Sequence, residues 1–113
     1  MNSSIKVVIL PEVVDYFLEL ASILYDKGYF GFEENAIKYS RDLFKDIRDN
    51  LPKMHKKIAP KYFEKYGKGM HYAIYKRNKN TSWYVFFSIY HVNNETTYLV
   101  RYVNNNHMIA KYL

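Results

Sequence analysis

His107 is the residue of this sequence best suited to moving a proton near neutral pH, because imidazole titrates in that range. It follows Asn104, Asn105 and Asn106 directly, and those amides can orient either the ring or a substrate. A histidine in a polar terminal stretch also fits a plain surface residue. Two arginines, Arg77 and Arg101, fall in segments rich in aromatic and β-branched residues, where alternate side chains share one face of a strand. His71, Ala73, Tyr75 and Arg77 form one such set, and Tyr72, Ile74 and Lys76 the other. Trp83, Val85, Phe87 and Ile89 read as a core set, and Tyr84, Phe86, Ser88 and Tyr90 as a more exposed one. Leu99, Arg101 and Val103 alternate with Tyr98, Val100 and Tyr102. Tyrosines beside arginines suit unstacked RNA bases, and the cations suit phosphates. The same tyrosines also fit ordinary cross-strand packing.

Other chemistries have little support. His55, His71, His91 and His107 lack metal-ligand spacing, and the chain has no cysteine, so thiolate metal sites and disulfides are excluded. Gly67-Lys68-Gly69 lacks the rest of a phosphate-binding loop. No serine has the context of a hydrolase triad. The basic half holds no paired carboxylates of the glycosidase kind.

These residues need a scaffold, and the composition allows one. The chain has 113 residues, enough for one domain. Its 49% hydrophobic content, with 13 tyrosines and 7 phenylalanines, supports a packed core without staples. No apolar run reaches membrane-spanning length. Met1-Asn2-Ser3-Ser4 has neither a basic nor a long apolar stretch, so a cytoplasmic protein is expected. The net charge is +6, unevenly spread. Residues 1–50 carry six basic and nine acidic side chains, a balance of −3. Residues 51–113 carry eleven basic side chains against Glu64 and Glu95, a balance of +9. Such segregation implies an anionic partner, nucleic acid or an acidic protein segment.

Ile5–Leu10 reads as a strand, and Pro11 opens a helix. Val14, Phe17, Leu18, Ala21, Leu24 and Tyr25 form its apolar stripe. Gly28 and Gly31 bracket a break. A second helix is predicted over Glu33–Asn50, with Ile37, Ser40, Leu43/Phe44, Ile47 and Leu51 inward, and Pro52 stops it. Residues 53–69 alternate lysines with Met54, Ile58, Tyr62, Phe63 and Tyr66. They fit either a short helix between Pro60 and Gly67 or an ordered basic loop. Three strands follow, His71–Arg77, Ser82–Tyr90 and Thr96–Val103, joined by short turns as an antiparallel meander. The last ten residues leave the sheet as a tail helix or strand. The predicted fold is therefore α+β, in the order β-α-α-β-β-β, with both helices on one face of an antiparallel sheet and the other face free for a ligand.

This order resembles the RelE/ParE superfamily of toxins from type II toxin–antitoxin modules, and most closely their small HigB-like and RelE-like members. The resemblance rests on Val7-Val8-Ile9-Leu10-Pro11-Glu12, Tyr72-Ala73-Ile74-Tyr75-Lys76, Thr81-Ser82-Trp83-Tyr84-Val85-Phe86-Phe87 and Tyr98-Leu99-Val100-Arg101-Tyr102-Val103-Asn104-Asn105-Asn106-His107. It implies an mRNA endoribonuclease acting on the ribosome, in which the ribose 2′-hydroxyl attacks the adjacent phosphate. Such a reaction needs no metal or cofactor. His107 matches the late histidine of HigB-like relatives. Arg77 and Arg101 are the expected phosphate charges, and Tyr112 a late stacking or proton-handling group. Lys76, Tyr75 and Tyr84, with Lys53, Lys57 and Lys61, are the RNA-binding candidates. Ala73, Tyr75 and Tyr84 stand where RelE has basic residues, so its charge set is not preserved. ParE-like relatives inhibit DNA gyrase without catalysis, and that activity is the alternative. A basic nucleic-acid-binding module without catalysis is a third reading. A toxin implies an antitoxin with an acidic segment, and the ribosome and mRNA as further partners.

Overall fold

The computed structural model describes residues 4–113. The start read over Met1-Asn2-Ser3 lies outside the described residues. The chain forms β1 (Ser4–Ile9), α1 (Pro11–Asp26), α2 (Glu33–Asn50), β2 (Lys57–Ile58), β3 (His71–Asn78), β4 (Thr81–Val92), β5 (Glu95–Asn105) and α3 (Asn106–Ile109). Single 3-10 turns cover Leu51–Lys53, Lys61–Lys65 and Ala110–Tyr112. The fold class is α+β, with α1 and α2 packed on one face of the sheet.

Local signals explain most of these bounds. Pro11 starts α1, where its missing N–H costs nothing. Gly28, at φ +79°, closes α1: the Tyr29 N–H donates to Leu24 O and the Gly28 N–H to Tyr25 O, a Schellman ending. α2 runs over the predicted Glu33–Asn50, and Pro52 diverts the chain into a 3-10 turn. Two-residue turns join β3 to β4 and β4 to β5, the second with Asn93 at φ +55°, a conformation asparagine tolerates.

The sheet order is β1-β5-β4-β3-β2. β3, β4 and β5 form the expected meander, and β2 extends it antiparallel. β1 instead pairs parallel to β5, from Ser4 opposite Glu95 to Ile9 opposite Val100. The sheet is therefore mixed, not wholly antiparallel. The β1–α1–α2 excursion returns the chain across the sheet before the meander begins.

The helix-side core joins Val13, Phe17, Leu20, Leu43 and Ile47 to Ala73, Trp83, Val85, Phe87 and Val100. A buried hydrogen bond from Ser40 Oγ to Phe17 O, 2.8 Å, ties the helices together. The α1 stripe differs from the predicted one. Val13 and Leu20 are buried, whereas Leu18 is 74% exposed and Tyr25 faces outward. On α2 the buried position is Ala36 instead of Ile37. α1 is apolar on several faces, so pattern alone did not fix its rotation.

The other sheet face is not free. Phe63, Met70, Tyr72, Phe86 and Ile109 form a second core there. Phe63 stacks on Phe86 at 4.3 Å between centroids, Tyr66 on Tyr102 at 3.9 Å and Tyr62 on Tyr112 at 3.7 Å. The 61–66 segment and the C-terminal residues thus roof the face expected to receive a ligand. Both sheet faces are consumed by packing.

Candidate functional site

The C-terminal segment crosses the end of the sheet beside the β3–β4 turn, and its asparagines hold it there. Asn106 Oδ1 accepts from Ser82 N at 2.9 Å, and its Nδ2 donates to Asn80 O at 3.1 Å. Asn105 caps α3 by accepting from Met108 N at 3.2 Å. Asn104 Nδ2 donates to the Tyr102 hydroxyl at 2.9 Å. Ile109 then enters the second core. Asn105 and Asn106 thus hold the backbone from which His107 emerges, and the ring's own partner is Thr81 rather than an asparagine.

His107 is exposed, and its Nε2 lies 3.2 Å from Thr81 Oγ1. A hydroxyl both donates and accepts, so this contact survives whether or not Nε2 carries a proton. The ring stands at the mouth of a cleft of about 470 Å³ between the α1–α2 hairpin and the β3–β4 turn. Aromatic rings of Tyr16, Tyr29, Phe30, Tyr39 and Trp83 line it, and Asn78 and Asn105 lie among its polar groups. Lys27, the α1 C-cap, supplies a cation. Trp83 Nε1 donates to the Tyr39 hydroxyl at 2.8 Å, fixing both rings. Burial, and then the nearby Tyr102, pushes the Tyr16 phenol up to about 12, so it remains neutral.

The other sequence candidates scatter. Arg77 lies at the same end of β3, but its Nη2 donates to Asp46 Oδ2 on α2 at 2.7 Å, in a partly buried pair. Arg101 lies elsewhere. A β-bulge sets Phe86 opposite Tyr102 and Phe87 opposite Val100, leaving Arg101 as the extra residue. This breaks the simple alternation expected of Leu99, Arg101 and Val103. The Arg101 guanidinium donates to Ser88 Oγ at 2.8 Å and to the Tyr90 hydroxyl at 2.7 Å, and the second of these bonds holds the Tyr90 phenol below its ordinary range. From Thr81 to the level of Arg101 is six steps of β4, about 20 Å. His107, Arg77 and Arg101 therefore do not form one constellation.

Tyr75 is corrected outright. It is 3% exposed in the helix-side core, with a buried hydroxyl that has no hydrogen-bond partner among the described residues, and offers nothing to RNA. Burial, and then the Asp46 charge, holds its phenol well above the ordinary range. Tyr84 packs partly buried against the second core, its ring 5.9 Å from that of Tyr72. Tyr112 stacks on Tyr62 and serves as a clasp for the C-terminal segment. Lys76 is exposed near the end of β3. Lys53, Lys57 and Lys61 are exposed around β2, which pairs with the opposite end of β3. Among the described residues no three His, Cys, Asp or Glu side chains come together as a metal site, and no helix is long and apolar enough to cross a membrane.

Sequence reading did not find Lys27, Tyr29, Phe30 or Tyr39 as neighbours of His107. The Gly28 turn brings the loop residues back toward the sheet, but nothing local relates residue 29 to residue 107. No family model matches the chain, and no curated protein or solved structure matches it either.

Proposed function

We propose that this chain is the toxin of a type II toxin–antitoxin module, a RelE/ParE-superfamily protein that acts in the cytoplasm as a metal-independent, ribosome-dependent mRNA endoribonuclease. The observation that carries the reading is His107 held by Thr81 at the mouth of an aromatic, amide-rimmed cleft with Lys27 in its wall. In the reaction, the 2′-oxygen bonds to phosphorus and the bond from phosphorus to the 5′-oxygen breaks. A base removes the 2′-hydroxyl proton and an acid protonates the departing 5′-oxygen. His107 supplies one of these proton transfers, and Lys27, which lines the same cleft, supplies positive charge for the phosphorane. The α+β architecture with both helices on one face agrees with this reading. The lysines around β2 suit the acidic segment of an antitoxin.

A second reading, gyrase inhibition without catalysis, is favoured by one specific observation. Arg77 and Arg101 are both engaged away from His107, so the expected phosphate charges are not gathered. Induction in cells separates the two. Codon-phased mRNA ends that vanish with His107→Ala, in a folded protein, support the ribonuclease. Trapped gyrase cleavage complexes with intact mRNA, unchanged in His107→Ala, overturn it.

A further inference from the structure

We propose that the cleft beside His107 holds one unstacked base of single-stranded RNA, bound by stacking and by a rim composed of hydrogen-bond donors. The inference deepens the ribonuclease reading, and the choice of RNA rests on it.

The donor character follows from bonds already made. The Asn78 Oδ1 is occupied by Asn80 N, and the Asn105 Oδ1 by Met108 N. Neither Nδ2 group has an acceptor among the described residues, and both residues line the cleft. The Tyr39 hydroxyl accepts from Trp83 Nε1 and retains its own proton to donate. Lys27 adds an ammonium. Such a rim matches an acceptor-rich edge, such as guanine O6 and N7 or a pyrimidine carbonyl.

The walls match the flat faces of the same ligand. Tyr29 is 65% exposed on the loop after Gly28 and lines the cleft together with the hydrogen-bonded Tyr39 and Trp83. An aromatic that projects into solvent from a Schellman turn stabilises little in the free protein. It is placed where a base entering the cleft would meet it. The volume, about 470 Å³, lies within the range of small-molecule sites. An aliphatic ligand would fill the aromatic part but leave four donors facing an apolar surface, which disfavours it.

The chain has a single tryptophan, and it lines the cleft. Trp83 emission is therefore a direct reporter. The full-length protein is titrated with GMP, with UMP and with ribose 5-phosphate. Saturable changes with GMP and UMP, absent with ribose 5-phosphate, are expected. Tyr29→Ala should weaken binding by roughly ten- to a hundredfold, and Tyr29→Phe should retain it. Tyr29 is exposed, so the variants should fold, and circular dichroism checks that they do. The inference is overturned by a flat titration with both nucleotides, by an equal response to ribose 5-phosphate, or by undiminished binding to folded Tyr29→Ala. Its failure is separable from that of the ribonuclease reading. Codon-phased cleavage with a flat titration sinks the base site alone, and nucleotide binding without cleavage sinks only the enzyme.

Discussion

Phe63→Ala is the sharpest test of the closed second face. Phe63 is fully buried, stacked on Phe86 at 4.3 Å and near Tyr102 at 6.3 Å, and it projects from a five-residue turn otherwise composed of Lys61, Tyr62, Glu64 and Lys65. Truncating a buried phenylalanine costs about 3–5 kcal/mol through lost transfer energy and the cavity left behind. Domains of this size are stable by about 5–15 kcal/mol, so a fifth or more of the total is at stake. At roughly 4 °C per kcal/mol, the melting temperature should fall by about 12–20 °C. The loss should appear in global unfolding, because Phe86 belongs to β4, whose other face carries the helix-side core. Urea unfolding followed by Trp83 emission therefore reads it, although Trp83 lies in the other core. A loss below about 1 kcal/mol would refute the reasoning. It would mean that residues 61–66 form a loosely attached basic loop and that the sheet face is open after all.

Two further predictions concern the Arg101 corner and alkaline pH. A Cβ on Gly67 would lie 2.7 Å from Arg101 Cδ and 3.3 Å from Met70 Sδ, and Arg101 is held in place by Ser88 and Tyr90. Gly67→Ala should thus destabilise by about 1–3 kcal/mol, and pairing it with Arg101→Ala should recover part of that loss in a double-mutant cycle; strict additivity would show that the two residues do not collide. Tyr16 and Tyr75 have phenols raised above the unfolded value near 10, so the unfolded chain releases these protons first. Their contribution is intact below pH 10 and is lost as pH rises, for Tyr16 up to about 12. Thermal melts between pH 9 and 12, beside ultraviolet tyrosine titration, should show stability falling in that window and Tyr16→Phe falling less; an unchanged slope in the variant would remove Tyr16 from the account.

The parts of the fold set by local chemistry were legible in the sequence. α2 was bracketed by Glu33 and Pro52, and the meander by aromatic and β-branched runs between asparagine-rich turns. What escaped depended on distant contacts or on weak periodicity. The parallel partner of β1 lies some ninety residues along the chain. Phe63 read as part of a short helix or a basic loop, and neither a single 3-10 turn nor a four-residue helix has enough repeat to show that Phe63 and Ile109 meet in one core. The bulge at Arg101 has no glycine to announce it. For the candidate site, His107 and its asparagines stood out as a cluster in sequence, whereas the cleft that gives them meaning is built from a loop eighty residues earlier.

Closure of both sheet faces also limits where chemistry can occur. A substrate laid on the far face would have to displace Phe63 and Ile109 from a packed core, a far larger cost than single-site binding commonly repays. The edge at the β3–β4 turn carries no such cost, because the cleft there is already formed. The C-terminal segment serves both regions at once: Ile109 and Tyr112 close the far face, while His107, a few residues earlier, faces the cleft. Tyr112 is then a positioning residue. Its stack on Tyr62 fixes the end of the segment, Asn106 fixes its start at the turn, and the imidazole between them is held beside Thr81 by anchors in two separate parts of the structure.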